Sequence, residues 1–200
     1  MEKSAKSIAA AAPLKSFIEE IKSLLGKRDN GARTVNQVKK HLIELLETPR
    51  WLPRPCRSGE SRSYARHLLY QDRKTGFVIV AMVWGAGQRT AVHDHAGVWC
   101  VEGVYEGNIQ VTRFNKIGRM GKTVRFEQGE EIQAGVGACG ALIPPVEYHR
   151  IANETRDKAI SVHVYGRDLK VCNIFNPLGG DLYQRVEKTM QYNSVIPLKV

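Results

Sequence analysis

In the stretch Gly87-Gln-Arg-Thr-Ala-Val-His93-Asp-His95-Ala-Gly-Val-Trp-Cys100-Val-Glu-Gly-Val-Tyr-Glu-Gly107, two histidines stand one residue apart inside a frame of glycines. Side chains at i and i+2 share a face of a pleated strand, so His93 and His95 are expected to point the same way and to reach one metal ion. A short pair of histidines recurs by chance in many chains. The glycines on either side make this pair informative, because they bracket it with turns.

A third imidazole can come from later in the chain. Pro144-Pro-Val-Glu-Tyr-His149-Arg-Ile-Ala-Asn153 offers one, with proline before it and asparagine after it. Together the two stretches resemble the two motifs of the cupins. The first of those motifs reads G, five residues, H-x-H, four residues, a carboxylate, six residues, G; the second reads proline, then G-x-x-H-x-x-x-N. Val146 replaces the second motif's glycine, and Cys100 replaces the first motif's carboxylate. The ligand set is therefore read as His93, His95 and His149, with a thiol beside it. Histidines satisfied by hydrogen bonds within a core would not require the glycine spacing. Three neutral imidazoles leave coordination positions open and the charge of a divalent ion uncancelled, which favours an anionic ligand such as a thiolate. They do not select among iron, zinc and nickel.

The rest of the chain agrees with a strand-rich fold. Leu14, Phe17, Ile18, Ile21, Leu24 and Leu25 recur at helical spacing from Pro13 to about Gly26, and Thr34 is expected to cap a second helix carrying Val35, Val38, Leu42, Leu45 and Leu46. Pro49 and Pro53 close this region. Strands are expected over 64–69, 77–84, 99–105, 109–114, 123–126, 141–143, 148–152, 160–165, 171–175 and 182–192. The expectation is an all-β, jelly-roll β-barrel of the cupin type with an N-terminal α-helical segment. It forms one domain over 1–200, with helices at about 13–48 and the barrel at about 62–195.

Composition narrows the function. The chain is 42% hydrophobic, and its longest apolar run, Phe77 to Trp84, is strand-length, so no membrane span is expected. Ser7 to Pro13 reads as a frayed tail rather than a signal peptide. Cys56, Cys100, Cys139 and Cys172 are far apart and form no C-x-x-C pair, which fits a reducing cytoplasm. The net charge of +10 is spread along the chain without a nucleic-acid-binding signature, so it is read as attraction for small anions, with no nucleic-acid partner. A monomer or weak homo-oligomer is expected. His41 among lysines reads as solvated or packing, and His67, on the opposite strand face from Tyr64 and Arg66, as a position tolerant of change.

From about Tyr64 to Met190 the chain resembles the thiol dioxygenases, and within them the cysteine dioxygenases, through four separated motifs. The resemblance implies that His93, His95 and His149 bind Fe(II). It implies that Cys100, five residues past His95, is the cysteine that mammalian members join to a tyrosine by a thioether. Ser161-Val-His163-Val-Tyr165 matches the family's S-x-H-x-Y motif and contains that tyrosine. On a strand these three side chains share a face, so hydroxyl, imidazole and phenol can form a hydrogen-bonded row. Tyr64-Ala-Arg66 is similar to the Y-x-R segment whose arginine grips the substrate carboxylate.

Relatives that prefer 3-mercaptopropionate carry glutamine at that position and an arginine nine residues past the motif tyrosine, where this chain has Ile174. Cys172 and the Trp84-Gly85-x-Gly87 segment also match the family, whereas Trp99 and the lack of S-P-P after Tyr165 depart from the mammalian pattern. The implied reaction adds both atoms of O2 to the sulfur of L-cysteine, giving cysteine sulfinic acid. The substrate sulfur supplies the electrons, so no flavin or nicotinamide is needed. The alternatives are the same chemistry on 3-mercaptopropionate or mercaptosuccinate, or a metal-binding cupin that does not oxidise, either an isomerase or a ligand sensor. A sensor would need an attached DNA-binding domain, and the first fifty residues are too short and too basic to make one.

Overall fold

Apolar residues spaced every three or four positions place one buried face on each of two helices, α1 (Ala12–Leu25) and α2 (Ala32–Glu47). Pro13 sits in the first turn of α1, where its missing N–H costs nothing. Thr34 does not cap α2. The cap position is Gly31, whose extended backbone starts the helix, and Thr34 lies buried in the first turn. The computed structural model describes residues 8–26, 31–145, 148–196 and 198–199.

The remaining elements are strands: β1 (Ile8–Ala9), β2 (Ala65–Gln71), β3 (Val78–Trp84), β4 (Val92–His93), β5 (Cys100–Glu106), β6 (Ile109–Met120), β7 (Thr123–Ala134), β8 (Cys139–Leu142), β9 (His149–Ala152), β10 (Ala159–Tyr165), β11 (Val171–Gly179), β12 (Leu182–Thr189), β13 (Ser194–Val195) and β14 (Leu198–Lys199). One sheet runs β13-β2-β3-β10-β5-β8, and a second closes on itself as β11-β12-β7-β6-β9-β4. This is the expected cupin-type barrel with the helices outside it.

Both faces of the first sheet are covered. Its outer face packs Ile79, Ala81, Val83, Ile160, Val162 and Val164 against Phe17, Ile21, Leu42 and Leu46 of the helices. Its inner face holds Val80, Met82, Trp84, Cys100 and Tyr165 in the barrel interior. β3 and β10 are therefore buried along their whole length, which explains why β3 reads as an unbroken apolar run. The helix layer sits very close to β5: a Cβ on Gly103 would collide with the Leu46 side chain.

Three departures from expectation have physical causes. Ile8–Ala9 is not a frayed end but pairs in parallel with Leu198–Lys199, and Ala10 N–H donates to Lys199 O at 3.1 Å; Ser7 lies outside the described residues. The β6–β7 hairpin extends well past Phe114 and Phe126. Its outer half is mostly exposed, so backbone pairing continues where the apolar alternation has faded. β12 ends at Thr189, because the chain then leaves the sheet to run beside β2. No helix among the described residues is long and apolar enough to cross a membrane.

Candidate functional site

β4 ends at His93, so the pleat alone does not align His95 with it. The alignment comes from Asp94. Its carboxylate accepts from Ala96 N–H at 3.0 Å, from Asn173 N–H at 3.0 Å and from Asn173 Nδ2 at 2.7 Å, pinning the turn to β11. His149 on β9 is the register partner of His93. Ring centroids are 5.4 Å apart for His93 and His95, 4.2 Å for His93 and His149, and 4.9 Å for His95 and His149. One ring nitrogen from each lies within 4.8 Å of the other two. Val146, the departure in the second motif, lies outside the described residues.

This cluster suits a metal ion. Burial, and then the neighbouring His149, holds the pKa of His93 and His95 well below the usual imidazole range, which keeps them in the neutral, ligating form. Nδ1 of His93 lies 3.1 Å from Ala91 O, an arrangement that orients the ring through its non-ligating nitrogen. His95 Nδ1 is buried and makes no hydrogen bond among the described residues.

Beside the cluster, β10 turns Ser161, His163 and Tyr165 inward. Trp84 Nε1–H donates to Ser161 Oγ at 2.9 Å, and Ser161 Oγ lies 2.7 Å from His163 Nε2. Three groups surround His163 Nδ1: Glu102 Oε2 at 3.3 Å, Tyr165 Oη at 3.5 Å and Cys100 Sγ at 3.9 Å. The Tyr165 ring meets His95 edge-on, with centroids 5.3 Å apart. Burial and the adjacent Cys100 push the Tyr165 hydroxyl pKa well up.

Sequence reading missed Glu102. It lies two residues beyond Cys100 on β5 and so shares its inward face, a signal that was available. The residue is only 6% exposed. Burial alone would raise its carboxyl pKa, but the contact with His163 and the neighbouring His149 outweigh burial and hold it at about 2.

Arg66 projects from β2 into the same space and is 4% exposed. Its Nη1 donates to Gln191 O at 3.1 Å, its guanidinium lies 4.9 Å from the Tyr192 ring centroid, and Tyr192 OH donates to Asp168 Oδ1 at 2.7 Å. Asn193 clasps the Arg66 backbone on both sides, its side chain accepting at 2.8 Å and its N–H donating at 2.8 Å. Arg66 Nη2 is buried and makes no hydrogen bond among the described residues. Tyr64, tilted against Trp84 with centroids 4.7 Å apart, forms the adjoining wall.

A cavity of about 150 Å³ joins these groups: Tyr64, Arg66, Glu102, His163, Tyr165 and the three histidines all line it, as do Cys172 and Met190. Ser161 and Cys100 stand behind the wall, fully buried. The other two histidines lie outside the site. His41 sits 2.9 Å from Glu20 and 3.3 Å from Glu44 on the helix surface. His67 faces away from the cavity, as expected, but it is buried, and its ring nitrogens lie 2.7 Å from Ser194 Oγ and 2.8 Å from Ser58 O. It ties β2 to its neighbours.

A β-barrel with a buried three-histidine cluster facing an interior cavity places the protein among the cupins. The chain belongs to the cysteine dioxygenase type I family, whose sequence model matches residues 58–177. Cysteine dioxygenase type 1 of Rattus norvegicus is 24% identical over 132 residues, covering 66% of this chain and 63% of the relative. The Homo sapiens protein gives the same identity and coverage. The chain thus spans 63% of the length of these curated relatives. Among solved structures, a double-stranded β-helix protein from Klebsiella pneumoniae aligns with a TM-score of 0.44 at 18% identity, covering 59% of this chain and 89% of that one.

Proposed function

We propose that this protein is an Fe(II)-dependent thiol dioxygenase that converts L-cysteine and O2 to cysteine sulfinic acid. The observation that carries the reading is the pairing, in one small cavity, of the three-histidine cluster with a buried arginine whose Nη2 makes no hydrogen bond among the described residues. An arginine held this way is prepared for a carboxylate, which satisfies the orphaned donor and fixes the substrate's orientation. Ferrous iron held by His93, His95 and His149 would supply a Lewis-acidic centre that favours the thiolate and brings dioxygen to it.

The chain's own residues supply the remaining requirements. Arg66, which lines the same cavity as the histidines, anchors the carboxylate. Tyr165 offers a hydroxyl at the cavity wall, beside His95, where it can donate to substrate or bound oxygen. A cavity of about 150 Å³ is large enough to admit cysteine. Overall, RSH and O2 give the sulfinate RSO2⁻ and one proton, with sulfur as the electron source.

A second reading keeps the chemistry and changes the substrate. Arg89 and Lys188 also line the cavity, and these further cations favour a dicarboxylate thiol such as mercaptosuccinate. The test is oxygen uptake by protein loaded anaerobically with iron, across cysteine, cysteamine, 3-mercaptopropionate and mercaptosuccinate. The proposal expects the highest kcat/KM with cysteine. A preference for mercaptosuccinate would select the second reading, and no uptake with any thiol would reject both.

A further inference from the structure

Glu102 is a buried carboxylate that lines the cavity beside His163. Its Oε2 stands at ion-pair distance from His163 Nδ1, 3.3 Å, short of hydrogen-bond alignment, and accepts no hydrogen bond from any other described group. A buried acceptor without a donor is costly, so the position of the His163 ring proton matters.

Donors and acceptors along the row can be counted. The Trp84 indole can only donate, so Ser161 Oγ accepts from it. The Ser161 hydroxyl hydrogen then needs an acceptor, and among the described residues the one within reach is His163 Nε2 at 2.7 Å. If Nε2 carried the proton, the Ser161 hydrogen would have no acceptor and Glu102 no donor. With the proton on Nδ1, Trp84 donates to Ser161 and Ser161 to Nε2, and the Nδ1–H has the charged carboxylate at 3.3 Å as its nearest acceptor, ahead of Tyr165 Oη at 3.5 Å and Cys100 Sγ at 3.9 Å.

We infer that Glu102 reinforces the His163 tautomer that Trp84 and Ser161 select, holding the ring proton on Nδ1 so that the Tyr165 hydroxyl is left to donate into the cavity. An Nδ1 that carries a proton presents no lone pair to Tyr165 Oη, which lies 3.5 Å away. The row of serine, histidine and tyrosine therefore branches at His163 instead of running straight to the phenol. Tyr165 lines the cavity and turns its hydroxyl to whatever binds there. Glu102 is thus a positioning residue, acting through His163 on the group that meets the substrate.

The test reads the tautomer directly. Full-length protein labelled with ¹⁵N at histidine and loaded with zinc gives long-range ¹⁵N–¹H spectra that show which ring nitrogen is protonated. The expected result is Nδ1–H at His163 in the wild type and in Glu102→Gln, whose amide oxygen still accepts, and a weakened preference in Glu102→Leu. In iron-loaded enzyme, Glu102→Leu should lower kcat about tenfold, the scale of one lost hydrogen bond, with little change in KM, and Glu102→Gln should restore most of it. An Nε2–H signal in the wild type would overturn the inference, as would a Glu102→Leu enzyme that keeps both the Nδ1–H signal and full kcat. The rate measurement rests on the dioxygenase reading and the spectrum does not. An Nδ1–H spectrum from protein that consumes no oxygen would therefore reject the reaction and leave the tautomer assignment standing.

Discussion

Tyr165 on β10 and Cys100 on β5 are register partners in an antiparallel ladder, and both side chains face the barrel interior. Residues directly opposite on such a ladder have Cβ atoms about 5 Å apart, close enough for their side chains to touch. Repeated turnover of iron-loaded enzyme with oxygen is expected to join the two by a thioether, with loss of two hydrogens that intact mass and tryptic mapping reveal. Cys100→Gly should retain measurable activity, and Tyr165→Phe should lose more, since it removes the cavity hydroxyl. Separate peptides recovered from fully active, extensively turned-over enzyme would rule the bond out.

Replacing His93, His95 or His149 by alanine should weaken iron binding by more than about 100-fold, exceeding the effect of losing a ligand's hydrogen-bond partner. Metal content after dialysis checks this, and full retention by any one variant would remove that histidine from the ligand set. His67→Ala should keep its iron but lose about 1–3 kcal/mol of stability, because it leaves Ser58 O and Ser194 Oγ without their partner.

Arg66→Gln should cost L-cysteine turnover roughly 2 kcal/mol of transition-state stabilisation, the scale of a lost charge-assisted bond, while cysteamine, which has no carboxylate, loses far less. Tyr192→Ala should shift the same ratio in the same direction by a smaller amount, since it removes the ring on which the guanidinium rests. Equal losses for both thiols would assign Arg66 a purely structural role.

Gly103→Ala should destabilise the fold by about 1–3 kcal/mol, the usual cost of an extra carbon in a packed core. The added Cβ meets Leu46 across the interface between β5 and α2. Pairing it with Leu46→Ala should give a loss smaller than the sum of the two single losses in thermal denaturation; strict additivity would show that the contact is slack.

Asp72 closes the turn between β2 and β3, accepting from Thr75 N–H at 2.7 Å, Thr75 Oγ1 at 2.7 Å, Tyr70 OH at 3.0 Å and Lys74 N–H at 3.1 Å. Burial works to raise its pKa, but these donors prevail and lower it. A carboxyl whose pKa is lower in the folded state stabilises the protein above its unfolded value of about 3.9, and the contribution is lost as pH falls through the folded value. Asp72→Asn should flatten the acid limb of a stability profile, and an unchanged limb would count against the assignment.

Much of this site was legible because its signals are local. The glycine frame around His93 and His95, the alternation in Ser161-Val-His163-Val-Tyr165 and the Tyr64-Ala-Arg66 segment each span only a few residues. Strand geometry turns such spacings into faces. Glu102 was equally local, but reading Cys100 as the replaced carboxylate drew attention from the acid two positions on.

The sequence by itself determined the amphipathic helices, the barrel strands with apolar alternation, the three histidines and the residue types beside them. Those follow from periodicity and short-range spacing, which a chain carries before it folds. Tertiary structure alone decided how His95 converges with His93, because the bonds from Asp94 run to Asn173, 79 positions away. It also decided how Arg66 is held at the cavity, because the residues that hold its guanidinium and backbone, Gln191 and Asn193, lie more than 120 positions downstream. Contacts between segments so far apart depend on the closed barrel, where packing brings together groups that share no local pattern.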